Sequence, residues 1–373
     1  MIDRLVVHLG HEKTGTSSLQ HTFSTNGAAL EAAGLVYPRL HPTRPRWEHF
    51  DVSEEFGAGG GPFAPGRHWA RFCDIVNASG CRTAVFSSEF LLRLSPEKVP
   101  DAIAAFGSLA RRVDCLIYVR HPVHYANSAV SQAMRYGRPL SRLIERPFTV
   151  DIRGLVTRWS DALDASPVDG QTIVRPYRRD IDPAWSLTDD LLRICGADPA
   201  AIHLSPQPSN DNPALSSLAV YLLDWINRHI EPERIDRNSL GAFEALRGPA
   251  YVLPADAMAR ARRHTAPALA WLEATHGIAL SERALEPSPP CPLSEAELAS
   301  LAKLTLGVTQ FNYEVERSRL GWWLGLRAPG STRRPGHPIH RRLAALGLVD
   351  RILGEGGRRA VSVEKRLGPS SPR

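Results

Sequence analysis

Apolar positions along the first 200 residues fall into short runs with no polar face, separated by stretches of longer period. The runs "RLVVHLG" (4–10), "TAVFSSE" (83–89), "CLIYVR" (115–120) and "QTIVRPY" (171–177) are rich in β-branched residues. Strands covered on both faces of a parallel sheet read this way. Helices are predicted between or after them, over 16–33, 97–112, 122–136 and 184–195. Strands alternating with helices predict an α/β fold with a doubly wound parallel sheet. Residues 41–68, with histidines, prolines and "GAGGGP", predict a long loop. Those glycines follow "DVSEEF" rather than a strand, which argues against a dinucleotide fingerprint. From about residue 214 the pattern turns helical, in "ALSSLAVYLLDWINRHI", "ADAMARARRHTAPALAWLEATHG" and "SEAELASLAKLTLG". No internal repeat is visible. The expected organisation is an α/β core over 1–205, a helical part of the same domain over 206–318, and a basic, partly disordered tail over 319–373 with one amphipathic helix at 339–354.

Composition changes this picture in three ways. At 373 residues and 43% hydrophobic content the chain supports one sizeable core. The net charge of +6 is uneven: the tail holds twelve Lys and Arg against three acids, a surplus of +9, so the first 318 residues sum to −3. The basic balance belongs to the tail, and no nucleic-acid partner is expected for the core. The tail helix, with Arg341, Arg342 and Arg351 flanking its apolar side, fits either contact with an anionic membrane surface or docking on the main domain. Cys73, Cys81, Cys115, Cys195 and Cys291 are widely spaced with no C-x-x-C, which reads as reduced thiols. The opening apolar run is too short for a signal segment, and no window reaches the roughly eighteen apolar residues of a membrane span. A cytoplasmic location, with peripheral membrane association through the tail, is the expectation.

The chemistry is carried by "HLGHEKTGTSSLQ" (8–20). The nucleotide-binding P-loop reads G-x-x-x-x-G-K-[ST]. Gly10 and Gly15 keep that spacing, but Thr16 stands in the lysine position and the nearby lysine is Lys13. A loop ending a strand and opening a helix directs backbone N–H groups at one point and favours an anion. The hydroxyls of Thr16 and Ser17 are further expected donors. A triphosphate site needs the lysine and a Mg²⁺-binding carboxylate at the end of a second strand. Here the neighbouring runs end in Glu89 and Arg120. A single 5′-phosphate group with Lys13 beside it is the better match. A second element, "YVRHPVHYANSAVSQAMRYG" (118–137), puts Arg120 at a strand end, Pro122 in a first helical turn and Ser128 eight residues after Arg120. Ligands in open α/β sheets bind beyond the carboxyl ends of the strands. There an Arg and a Ser can clamp a phosphate; Arg120 could equally serve a surface salt bridge.

Together these elements resemble the sulfotransferases that use 3′-phosphoadenosine-5′-phosphosulfate (PAPS), in particular bacterial members. The resemblance covers residues 4–200 clearly and weakens towards 310. It implies a P-loop-like fold and transfer of a sulfuryl group in line from PAPS to an acceptor hydroxyl or amine on a carbohydrate, lipid or small molecule, leaving adenosine 3′,5′-bisphosphate (PAP). Lys13, Gly15, Thr16 and Ser17 match the motif that holds the 5′-phosphosulfate, with Thr14 and Ser18 in the same run as cofactor contacts. Arg120 and Ser128 match the 3′-phosphate motif, and Tyr177 in "IVRPYRRDI" matches a tyrosine beside the adenine. Two departures stand out. Ser18 replaces the tryptophan that stacks on adenine in eukaryotic cytosolic members, and no "RKGxxGxWK"-like run is present.

A sulfuryl group in transfer carries less charge than a phosphoryl group, so no metal is expected. Lys13 would stabilise charge developing on the leaving phosphate oxygen. Glu89, just past a strand end, is the expected general base, as in sulfotransferases acting on sugars; alternatively it only opens a helix, where a carboxylate is favourable. His8, His121 and a histidine from 41–68 are the other base candidates, although a mid-strand His8 suits a core and His121 suits a helix cap. His337 and His340 lack a third ligand for a metal. Trp47, His49 and Trp69 are expected acceptor contacts, with 206–318 on the acceptor side. Two other functions compete: a P-loop nucleotide-dependent kinase, which lacks its lysine here, and a non-enzymatic membrane-surface module resting on the tail.

Overall fold

The structure is a computed structural model that describes residues 1–41, 48–205, 214–230 and 241–317, without the side chains of 241–242 and 308–317. Trp47 and the basic tail at 319–373, with its helix at 339–354 and His337 and His340, lie outside the described residues. Five strands, β1 (Ile2–His8), β2 (Leu35–Val36), β3 (Thr83–Ser87), β4 (Ala110–Val119) and β5 (Asp169–Pro176), pair in the order β2-β3-β1-β4-β5. All pairings are parallel. The helices, in chain order, are α1 (Thr16–Thr25), α2 (Gly27–Ala32), α3 (Phe50–Glu55), α4 (Arg67–Ala78), α5 (Val99–Leu109), α6 (Pro122–Arg135), α7 (Leu140–Glu145), α8 (Ile152–Asp164), α9 (Leu187–Ile194), α10 (Ser217–His229), α11 (Gly241–Glu244), α12 (Ala255–His276) and α13 (Glu295–Arg317). Among the described residues no helix is long and apolar enough to cross a membrane.

Side chains alternate across a strand, and here both sets are buried. Leu5, Val7, Ala84, Phe86, Val113 and Cys115 face a core completed by Phe72 of α4, Phe106 of α5 and Trp159 of α8. Val6, Val85, Leu116 and Tyr118 face the opposite core, closed by Leu19 and Phe23 of α1, Leu30 of α2 and Leu191 and Leu192 of α9. Burial on both faces is why the strand sequences show no polar side. Helix α5 shows the complementary logic: Pro100 sits in its first turn, and Val99, Ala102, Ile103 and Phe106 recur at three- and four-residue spacing on its buried face. Each such large side chain contributes about 1.5–3 kcal/mol by leaving water.

The expected strands and helices are present, with differences that have local causes. The stretch 16–33 is two helices, because Asn26 ends α1: its side-chain amide donates to the Thr22 carbonyl and its oxygen accepts from Ser205 N–H at 2.8 Å. The stretch 41–68 is not a long loop: it contains α3 and the start of α4. Val52 of α3 and Phe56, which ends it, are four apart and fully buried. Glu55 accepts from the backbone N–H groups of Gly66, His68 and Trp69 at the start of α4. The short β2 and the helices α4, α7 and α8 were not foreseen.

Among the described residues the chain forms two compact units. Of these residues, one unit draws on 1–125, 149–205 and 264–283 and contains the sheet; the other draws on 126–148, 214–230, 241–263 and 284–317 and is helical. In the helical unit, α10 buries Leu222, Leu223 and Ile226, and its Asp224 accepts from Leu140 N–H at the start of α7.

Candidate active site

The register sets which residues can meet. His8 pairs with Ser87 and Leu116, and Val119 with Pro176. The segments after β1, β3, β4 and β5 therefore leave from the same edge of the sheet, its carboxyl edge. Lys13, Glu89, Arg120 and Tyr177 all belong to those segments. β1 and β4 are neighbours, yet the chain continues from β1 to the β2 edge and from β4 to the β5 edge. Such a divergence opens a crevice where α/β proteins bind ligands.

The loop from 9 to 15 is folded on its own carbonyls. The hydroxyls of Thr14 and Thr16 both donate to the His11 carbonyl, at 2.5 and 3.3 Å, and Thr14 N–H does so at 3.3 Å. Thr14 and Thr16 are buried. The Thr16 hydroxyl, expected on the anion, thus holds the loop's shape instead. Lys13 adopts φ 66°, the one non-glycine residue with positive φ among the described residues, and Gly15 follows at φ 79° as the residue before α1. A β-carbon at Gly15 would stand 3.2 Å from Leu187, so a side chain is disfavoured by conformation and by space. No side chain caps α1. The first-turn N–H groups at Thr16, Ser17 and Ser18 have no carbonyl of the preceding turn to reach, which leaves a helix start suited to an anion. Ser17 and Ser18 are half-buried there.

Three of the five N–H bonds of Arg120 have protein acceptors. Its Nε and Nη2 donate to the two oxygens of Asp180 at 2.7 and 2.6 Å, and its Nη1 donates to the Lys13 carbonyl at 2.6 Å. The guanidinium also lies 5.3 Å from the Tyr177 ring centroid. Arg120 therefore ties the β1 loop to the segment after β5. Asp180 was missed by sequence reasoning, because nothing in a residue 60 positions away marks it as the partner. Ser128, half-buried on α6, belongs to the helical unit.

A cleft of about 270 Å³ opens beside Gly15, lined by Ser18, Leu19, Tyr177, Arg179, Trp185 and Leu187 among others. This is near the lower end of ligand-pocket volumes. Tyr177 and Trp185 meet edge to face at 5.4 Å. Trp185 was not singled out from sequence either; an aromatic residue shortly before a predicted helix was the available signal.

Glu89 opens a 3₁₀ turn, Glu89–Arg93, capped by the Ser88 hydroxyl. Burial, the largest cause, and the charge of Glu12 push its carboxyl up to about 7; Lys13 and Arg93 pull it back by less. Glu89 can take up and release a proton near neutrality. The histidines do other work. His8 is fully buried, its Nδ1 2.9 Å from Ser87 Oγ, and burial pushes it down to about 3. His49, expected at the acceptor, is a core residue: it donates to the Pro38 carbonyl and accepts from Ser87 N–H, and burial pushes it down to about 4. Trp69, also expected there, stacks on Phe72 in the core. His121 accepts from Val123 N–H at 3.4 Å and so caps α6, and its Nε2 lies 3.7 Å from Glu282.

No protein-family model, no curated protein and no solved structure matches this chain.

Proposed function

We propose that this protein is a sulfotransferase of P-loop-like fold that uses PAPS as sulfuryl donor and acts on an acceptor hydroxyl or amine. The observation that carries the reading is the uncapped start of α1 behind Lys13 and Gly15, on the sheet edge that also bears Glu89. The residues fit the donor in three respects and strain against it in one. Backbone N–H groups of Thr16, Ser17 and Ser18 suit its 5′-phosphosulfate. Lys13 brings a positive charge to the loop. Tyr177 and Trp185 line the cleft with aromatic surface, and Trp185 supplies what Ser18 does not. Against this, Arg120 can take the 3′-phosphate only with its two remaining N–H bonds or by parting from Asp180.

PAPS, when bound, supplies an activated sulfuryl group. Lys13 stabilises negative charge that grows at the loop during transfer. Glu89 accepts the proton of the attacking hydroxyl or amine, and a carboxyl near 7 combines useful basicity with a deprotonated fraction at neutral pH. Ser128 is assigned to the 3′-phosphate by resemblance alone.

Thermal shift decides between readings. PAP should raise the melting temperature of the full chain, ATP with Mg²⁺ should not, and Trp185→Ala should reduce the PAP effect, since stacking on an aromatic side chain contributes about 1–3 kcal/mol per base. Stabilisation by ATP with Mg²⁺ and none by PAP would replace the sulfotransferase with a nucleotide kinase.

A further inference from the structure

Outside the proposed active site, two histidine–carboxylate pairs stand side by side. His41 Nε2 lies 2.6 Å from Asp51 Oδ2, and His68 Nδ1 lies 2.9 Å from Glu55 Oε1. The two imidazoles are 5.9 Å apart between centroids. One ring nitrogen from each histidine and one oxygen of Asp51 fall within 4.8 Å of one another. We propose that His41, Asp51 and His68 form a binding site for one divalent transition ion of the zinc class, with Glu55 orienting His68.

The donor set is the first argument. Two imidazoles and one carboxylate suit Zn²⁺, which accepts three protein ligands and keeps a fourth position for water. All three residues are half-buried, with side chains about one-fifth exposed, so an ion can enter and hold a water.

The hydrogen bonding around His68 is the second, independent argument. Glu55 is fixed by three backbone N–H groups at the start of α4, those of Gly66, His68 and Trp69. An acceptor-only carboxylate facing Nδ1 makes that nitrogen the protonated one. The lone pair is then on Nε2, which accepts from Arg67 Nε at 3.3 Å. A carboxylate on one ring nitrogen and an available lone pair on the other is how metal-ligating histidines are held. The Arg67 side chain is exposed and can leave.

The local fold brings the ligands together without strain. Asp51 and Glu55 are four apart on α3 and share a face. His68 is the second residue of α4. The residue before His41 is anchored by Arg71 Nε, which donates to the Leu40 carbonyl at 3.1 Å. For both His41 and Asp51 to ligate at about 2.0 Å, their atoms must open to roughly 3.3 Å. Two side chains that keep about one-fifth of their surface exposed can make that movement. A bound ion would join the segment after β2 to α3 and α4. The site shares no residue with the loop of 9–15 and stands whether or not the sulfotransferase reading does.

The test uses the full chain, stripped with a chelator, dialysed, and titrated with Co²⁺ and then Zn²⁺. Wild type should bind one equivalent of Co²⁺ with the visible absorption of a tetrahedral nitrogen and oxygen site, and Zn²⁺ should displace it. His41→Ala/His68→Ala should lose that equivalent, and Asp51→Asn should weaken it strongly. Glu55→Gln should raise the dissociation constant about 10–100-fold while leaving one equivalent bound. Arg67→Ala should tighten binding. Near-UV circular dichroism of each apo variant identifies any that fails to fold, and Asp51→Asn, which keeps size and shape, then carries the comparison. The proposal is overturned if wild type binds no Co²⁺ at micromolar concentration, if the double variant binds it equally well, or if a strong near-UV charge-transfer band shows that a cysteine holds it.

Discussion

Glu89→Gln separates two consequences of one environment, and the first needs no acceptor. The carboxyl is raised from its ordinary 4.5 to about 7, chiefly by burial. In the unfolded chain it returns to the ordinary value. Between about pH 4.5 and 7 the folded state therefore holds a proton that the unfolded state has lost. Stability contributed by this group is present in full below about 4.5, falls as pH rises, and is lost above about 7. One pKa unit corresponds to 1.36 kcal/mol, so the ionised carboxylate costs the fold about 3 kcal/mol at pH 8, an upper bound because the residue keeps some contact with water. Glutamine has the same shape and never ionises. Glu89→Gln should then match wild type in stability at pH 4 and exceed it at pH 8 by up to about 3 kcal/mol, read by urea denaturation at the two values. If Glu89 is also the base, the variant should bind PAP normally and lose about 10²–10⁴-fold in turnover, and wild-type kcat/KM should rise with pH through about 7. Equal stability of the two proteins at both pH values would refute the buried carboxylate, and with it the physical ground for assigning Glu89 the proton. A variant that is more stable at pH 8 but retains full turnover would keep the environment and reject the role.

The remaining predictions concern the loop and its tie. Lys13→Ala should keep most of the PAP affinity and lose most turnover, because the leaving oxygen gains negative charge between the bound donor and the transition state and Lys13 acts on that gain; initial rates beside calorimetric titration with PAP check this. Arg120→Ala releases the Lys13 carbonyl as well as Asp180 and should weaken PAP binding by roughly 2–3 kcal/mol. Asp180→Asn keeps Arg120 in reach of the loop but removes the competing charge, so it should tighten PAP binding while lowering stability; weaker binding by this variant would mean that Asp180 positions Arg120 rather than competing for it.

What the sequence made legible follows from where burial is two-sided. β1, β3 and β4 announce themselves because both faces are buried, and the edge strand β5 does so through Val174 and Ile173, each half-buried against one of the two cores; the residues just past these strands arrive together at one edge whatever their side chains do. Lys13, Glu89, Arg120 and Tyr177 could be grouped on that ground alone. The two residues of β2 are too few to carry a period. The six of α3 show one only through Val52 and the Phe56 that follows the helix, and the adjacent glycines drew attention away from that pair. Within the site, the polar partners were hidden for a different reason. Period and propensity describe how a residue relates to its own element, whereas Arg120 meets Asp180 across 60 positions and the Thr14 and Thr16 hydroxyls turn back onto His11. A motif states which residues stand near an anion. It does not state whether their donors are still available, and here the hydroxyl of Thr16 and both donor edges of Arg120 have protein partners. The proposed function therefore leans on the backbone at the start of α1, with Lys13 in the same loop, which is why a loss of turnover in Lys13→Ala weighs more for the proposed chemistry than any change in affinity at Arg120.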